Sequence, residues 1–548
     1  MKADLAFING EVITVDEQNR VVECVAVKGN QIISTGTYNE IKHTITKDTQ
    51  IIDLEGKSLL PGFIDAHVHF TIYGTNLLGV DCDSSNIHSI QDLLEAIEKK
   101  CEETPKGQWV RATGFNEYNM AEQRYPTRDE LDRISKEHPI IIIRTCNHFS
   151  FVNSKALEVA NIDETTKDPN GGIFERHPNG KLTGKLIENA HMQILEFANY
   201  TPQEIRKGLQ LASKEFIKAG ITSVHDAGAY GDGADTFRVM QEAVNAKDIN
   251  VRIYAFVCSL TNSHLFVKKM SESGAITGLG NKWFKIGPAK LFTDGASVGP
   301  TIATRESYTH DPNNFGLLYY SQEELNEILG NAHAKGFQLT AHAQGDLAIE
   351  MLLDCFEKAL KEHPRENHRH RIEHAGIASP DLQRRMKELG VVPIPNPAFI
   401  HVNGEKYREY YGDRVNVMYP CRDYIDHDII AAYGSDAPVI AVDPLLGIHA
   451  AVNRQAWNGQ PVGEQQKVNV LDAIRGYTIN GAYASFEENL KGSIEVGKLA
   501  DFVMLNDSIL EYDKENIKDL QVILTVVDGE ILYDANSQKG TVELKMPL

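Results

Sequence analysis

Between residues 59 and 436, eight short apolar runs are separated by stretches with the spacing of amphipathic helices. The runs are LLPGFIDA (59–66), ITSVHD (221–226), RIYAFV (252–257), FKIGPAKLF (284–292), FQLTAH (337–342), HRIEH (370–374), VVPIP (391–395) and IIAAYGSD (429–436). Strands alternating with helices make parallel βα units, and eight of them suffice to close a barrel. The expected fold class is therefore α/β, a (β/α)8 TIM-like barrel. Residues 75–210 are too many for one crossover and predict an insertion between the first and second barrel strands, with IIIIRTC as a strand of its own.

The two ends of the chain read differently. Residues 1–58 hold short β-branched runs broken by the turn signals Asn9-Gly10 and Gly29-Asn30, and residues 488–548 hold similar runs with Asp528-Gly529. Neither end has enough strands to bury a core alone, which predicts that both pair into one composite β-sandwich. The expected organisation is 1–58 with 488–548 as that sandwich and 59–487 as the barrel.

Acidic residues outnumber basic ones, 76 to 55, leaving a formal charge of −21. Such a field repels phosphate backbones and anionic lipid, so nucleic acid and membrane surfaces are not expected partners. Seven cysteines lie scattered without a C-x-x-C pair, as in reduced cytosolic proteins. The first residues, MKADLAFINGEVITVD, lack the continuous apolar core of a secretion signal, and no apolar run nears the 18 or so residues of a membrane span. A cytoplasmic location is the expectation.

Where the runs end, chemistry collects. His67 and His69 follow the first run at i and i+2, and strand alternation sends both to one face. A lone H-x-H says little, but His342, His374 and Asp436 close three further runs, and in a barrel those strand ends share one mouth. Four imidazoles and a carboxylate together are costly to desolvate as packing and suit a divalent metal. Zinc fits these ligands, as do iron, manganese, cobalt and nickel. Lys290, near the end of the fourth run, points to the same mouth if the register holds. As a carbon dioxide-derived carbamate it would bridge two ions; the plain alternative is an ion pair with Asp294.

The motif PGFIDAHVH (61–69), the later histidines, Gly434-Ser435-Asp436 and the closing GSIEVGKLADFV (492–503) resemble the amidohydrolase superfamily. RTCNHFSFVNSKAL (144–157), GITSVHDAG (220–228), KLFTDG (290–295), AHAQGD (341–346) and RIEHA (371–375) are similar to its YtcJ-like subgroup, which includes N-substituted formamide deformylase. The resemblance implies a metal-dependent hydrolase, with His67, His69, Lys290, His342, His374 and Asp436 on the ligand positions and one or two ions per chain. A homodimer is expected by the same analogy. Where relatives often carry Gly-Ser-Arg-Thr-Ala, this chain has Gly299-Pro300-Thr301-Ile302-Ala303. The missing arginine predicts a less anionic substrate, unless Arg305 substitutes.

The chemistry expected is hydrolysis of a linear non-peptide amide, an N-acyl or N-formyl amine, by a metal-bound hydroxide. Asp436 would accept and then return the proton, with His374 assisting and Asp65 steadying a ligand imidazole. A deaminase or cyclic-amide hydrolase on the same centre is a second reading, and a non-catalytic regulatory barrel a third. His148 in the insertion, His225 and Arg305 are candidate substrate contacts, and Tyr319, Tyr320 and Trp109 are pocket walls or ordinary packing.

Overall fold

The computed structural model describes residues 1–82, 87–145, 149–169, 171–231 and 233–536. The expected substrate contact His148 and the last stretch of the expected sandwich, 537–548, lie outside the described residues.

Seven parallel strands form one sheet in sequence order: Phe63–Val68, Ile221–Asp226, Arg252–Val257, Phe284–Phe292, Leu339–Ala343, Arg371–His374 and Val392–Ile394. Helices such as Gln322–Ala334, Asp346–Glu362 and Pro380–Leu389 connect them. Two of them have starts written in the sequence: Ser321 caps the first and forms a reciprocal pair with Glu324, and Pro380, which has no amide proton to satisfy, opens the third. The result is a mixed α/β fold around a nearly closed parallel barrel.

Two of the eight expected strands differ. The run 59–66 is split at Gly62: Ser58–Pro61 joins a terminal sheet, and only Phe63–Val68 enters the barrel. A β-carbon at Gly62 would lie 2.4 Å from Thr222, so the crossing is open only to glycine. The run 429–436 is no strand at all. It fills the gap between the last and first strands by scattered backbone bonds, Ala432 N–H to Pro393 O (3.2 Å), Gly434 N–H to Pro395 O (3.3 Å), Ala66 N–H to Tyr433 O (3.0 Å) and Asp436 N–H to His67 O (2.8 Å).

Barrel interiors are commonly filled by branched apolar residues. This one is largely polar. Thr340, Arg371, Glu373 and His225 are completely buried, and lower down Lys491 donates to Ser223 (3.0 Å) and pairs with Glu487 (2.9 Å), which also pairs with Lys285 (2.8 Å).

The terminal strands form two sheets that share a core of Leu5, Phe7, Val25, Leu59, Ile494, Phe502, Leu524 and Val526. One sheet holds Leu5–Ile8, Cys24–Lys28, Gln31–Gly36 and Gln50–Asp53. The other has six strands and mixes both ends of the chain: Ser58–Pro61 lies between Glu11–Ile13, parallel to it, and Phe502–Leu505, antiparallel to it. Gly29-Asn30 and Asp528-Gly529 turn hairpins, with Gly29 and Asp528 at positive φ (57° and 55°). Asn9-Gly10 instead passes the chain from one sheet to the other.

Residues Thr71–Ala212 with Tyr230–Val239 form a second compact unit. It carries a six-stranded sheet in which Ile140–Arg144 is central. Ile90, Leu93 and Ile97, on one face of the helix Ile90–Glu103, pack on Val110, Ala112, Ile140 and Ile142. No helix among the described residues is long and apolar enough to cross a membrane. The described cysteines are free and buried.

Candidate metal centre

The first barrel strand delivers His67 and the residue after it frees His69; His342 stands in the fifth strand, His374 ends the sixth, and Asp436 lies in the segment that closes the ring. His374 and Asp436 sit at positive φ (71° and 63°), an uncommon conformation for residues with side chains and one that clusters at functional sites. At His374 it has a visible effect: Glu373 and His374 are neighbours in a strand, yet both reach the cluster.

Each imidazole is held by one ring nitrogen. His67 gives Nδ1–H to Glu373 Oε2, His69 gives Nδ1–H to Gly228 O (2.8 Å), and His374 gives Nδ1–H to Asn396 Oδ1 (2.7 Å). His342 uses the opposite nitrogen, giving Nε2–H to Gly295 O (2.8 Å). Carbonyl and carboxylate oxygens only accept, and Asn396 is oriented by its own bond to Gly434 O (2.8 Å), so these partners fix the four tautomers. The remaining nitrogen of each ring bears a lone pair.

Two of those lone pairs, on His67 Nε2 and His69 Nε2, face Asp436, and the rings of His374 and His342 lie alongside. The ring centroids of His67 and His374 are 4.6 Å apart and those of His342 and His374 4.5 Å. Asp436 Oδ1 is 3.3 Å from His67 Nε2 and 3.5 Å from His69 Nε2. His67 Nε2 is buried and makes no hydrogen bond. Electron-pair donors facing one another at this distance, with no proton from either ring between them, are what a divalent cation satisfies. Donor atoms of His67, His69 and Asp436 all lie within 4.8 Å of one another.

Electrostatics agree with that arrangement. Burial, with the charge of Lys290, keeps His67 far below the ordinary imidazole range and His69 down at about 3. Burial likewise holds His374 far down and His342 at about 4. All four stay neutral, the form that ligates. Burial pushes the Asp436 carboxyl up to about 7 against the pull of Lys290. Lys290 is fully buried, with Nζ 3.3 Å from Ala227 O and 4.6 Å from the centre of the Phe292 ring, and burial draws its ammonium below the ordinary range.

Other expected residues are placed elsewhere. Asp294 is no partner of Lys290: it accepts the amides of Ala303 (3.1 Å), Gln344 (3.0 Å) and Gly345 (2.8 Å), and burial raises its carboxyl to about 7. Asp65 steadies no imidazole ring. It accepts the amide and hydroxyl of Ser435 (2.9 and 2.5 Å), which shapes the turn carrying Asp436. His225 is completely buried with its Nδ1 taken by Arg371 (2.9 Å), so that nitrogen is closed to substrate. The Arg305 guanidinium is engaged by Glu350 (3.0 Å) and Asp381 (2.9 Å). Trp109 packs against the core around Ile141 and Leu186 in the second unit, whereas Tyr319 is half exposed.

Glu373, Asn396 and Ser435 were not among the expected residues. The one available signal for Glu373 was a carboxylate in a short strand, directly before a candidate ligand.

Residues 50–533 match the amidohydrolase family. The chain is 30% identical over 544 residues to N-substituted formamide deformylase of Arthrobacter pascens, covering 97% of this chain and 98% of that one. It is 31% identical over 534 residues to YtcJ of Bacillus subtilis (strain 168), a protein named as an amidohydrolase, covering 96% and 98%. Among solved structures it is similar to an uncharacterized metal-dependent hydrolase from Pyrococcus horikoshii OT3, with 26% identity, a TM-score of 0.78, and 93% of this chain and 99% of that chain covered. With a barrel of this kind, imidazoles converging at one end of its strands, and a family match over most of its length, the chain belongs to the amidohydrolase family.

Proposed function

We propose that the protein hydrolyses a linear, non-peptide amide bond of the N-acyl or N-formyl amine type in a small molecule. His67, His69, Lys290, His342, His374 and Asp436 would hold one or two divalent cations, with zinc the expected ion. The observation that carries this reading is the facing of His67 Nε2, His69 Nε2 and Asp436 Oδ1 with no ring proton between them. The relatives named for deformylase and amidohydrolase activity support the bond type.

A divalent cation bound there supplies Lewis acidity at the carbonyl oxygen and a water acidic enough to ionise near neutral pH. The four imidazoles stay uncharged and fixed in orientation, so the centre is organised before substrate arrives. Asp436 takes the proton of the attacking water as the oxygen bonds to the carbonyl carbon. It returns that proton to the nitrogen as the C–N bond breaks, giving a carboxylic acid and an amine. Lys290 would take part as a carbamate, its amine nitrogen bonding to the carbon of carbon dioxide and releasing one proton to water, so that it offers carbamate oxygens in place of an ammonium.

The same reading takes 59–487 as an eight-position barrel in which the irregular segment 429–436 occupies the eighth position. It takes 75–210 as the insertion and 1–58 with 488–548 as a composite β-sandwich. The backbone bonds of the closing segment and the shared terminal core support it.

The test is a panel of N-formyl and N-acyl amines given to protein purified without chelator, with metal content measured alongside. Acid and amine should appear in equal amounts, and Asp436→Asn should lower kcat by roughly 100- to 10,000-fold while metal is retained. Unchanged turnover in that variant removes Asp436 from the role. Release of ammonia in place of acid and amine favours a deaminase.

A further inference from the structure

We propose that Glu373 is the residue that positions His67 for cation binding, with Arg371 and Thr340 as its supports, an inference that rests on the metal-centre reading above. Glu373 is completely buried in the barrel interior. Its Oε1 accepts from Arg371 Nε (2.8 Å) and Thr340 Oγ1 (2.6 Å), and its Oε2 accepts from Arg371 Nη2 (3.0 Å) and His67 Nδ1. The supports are themselves anchored. Thr340 lies on the neighbouring strand, in register with Arg371. Arg371 reaches back to the carbonyl of Ala66 (2.6 Å), the residue before His67, donates to His225 Nδ1 (2.9 Å), and has its guanidinium carbon 4.7 Å from the centre of the Phe256 ring.

A buried ion pair present only for stability would be complete without the histidine, since the paired contacts of Arg371 already neutralise the carboxylate. The added contact to His67 has a directional consequence. Because a carboxylate can only accept, the His67 proton stays on Nδ1, and the Nε2 lone pair is aimed at Asp436 and the other imidazoles with nothing else to bond. The negative charge behind the ring also makes that nitrogen a stronger donor to a cation. Nothing in Glu373 itself touches the reacting atoms, so its role is positioning.

Two variants test this. Glu373→Gln keeps the shape and removes the charge, whereas Thr340→Val keeps both shape and charge and removes one support. For each, the cation dissociation constant is measured by chelator competition, the visible spectrum is recorded with cobalt loaded, and the unfolding of metal-free protein is followed. A positioning role predicts that Glu373→Gln weakens cation binding by about 10- to 100-fold and changes the cobalt spectrum, with Thr340→Val shifting both in the same direction by less. If both variants bind as the parent does and only metal-free unfolding moves, the group is a structural ion pair and the proposal is overturned. Should Glu373→Gln fail to fold, Thr340→Val decides alone. A parent protein that binds no divalent cation overturns the metal-centre reading itself, a result distinct from equal binding by all three.

Discussion

Gly434 shows how narrowly the centre is built at the level of single atoms. A β-carbon there would lie 2.7 Å from both the amide nitrogen and the β-carbon of His67 and 2.9 Å from its carbonyl oxygen. Two of those three neighbours are backbone and cannot rotate away. Gly434→Ala should therefore push the first strand and the closing segment apart, costing about 1–3 kcal/mol in urea unfolding and weakening metal retention. A variant with parental stability and metal content would show that the segment has slack. Residue by residue, the candidate ligands were easier to read from the sequence than the groups that hold them. His67, His69 and His342 follow from strand alternation and strand ends, because those are properties of local spacing. Glu373 was hidden by the same logic: alternation sets it opposite His374, and only the positive φ of His374 brings both inward. Asp65 has the right parity for a ring partner but meets Ser435 first, a contact made across 370 residues of chain that no local pattern carries.

At the level of elements, apolar runs located six of the barrel strands and misread the first and the last. An apolar run reports burial and does not distinguish a ladder from an irregular buried segment, so IIAAYGSD looked like a strand although it closes the ring by isolated bonds. Nor does a run reveal a boundary inside it, which is why the two strands flanking Gly62 read as one. The third barrel strand illustrates how the elements are tied together. Arg252 at its start is buried and grips Asp501 through Nε (2.8 Å) and Nη2 (2.9 Å), and it also donates to Asp528 (2.9 Å). Asp501 was visible only as part of the closing family motif, with no hint of its partner. Asp501→Ala would leave the guanidinium with one carboxylate, Asp528, which Lys282 also engages, and should cost about 3–5 kcal/mol of stability. A loss below 1 kcal/mol would mean that water reaches Arg252 and compensates.

For the molecule as a whole, acid should be the sensitive side. Burial lowers ten described histidines below their ordinary range. These take up protons near pH 6.5 when the chain unfolds but stay neutral when folded, so their contribution is present above that pH and is lost as pH falls toward their folded values. Six aspartates raised by burial act in the opposite sense, because the folded state holds their protons more tightly. Ten against six leaves net loss on acidification. The Tm of metal-free protein should fall steadily between pH 6.5 and 5, and a flat or rising profile would contradict the burial of these imidazoles. The interleaved six-stranded sheet bears on how the chain is made. On the ribosome Ser58–Pro61 emerges well before its partner Phe502–Leu505, with the whole barrel sequence made in between. While the barrel residues are being made, the strand that leads into them must wait with one edge open, so this sheet is completed only after the barrel sequence has been synthesised and depends until then on whatever shields that edge.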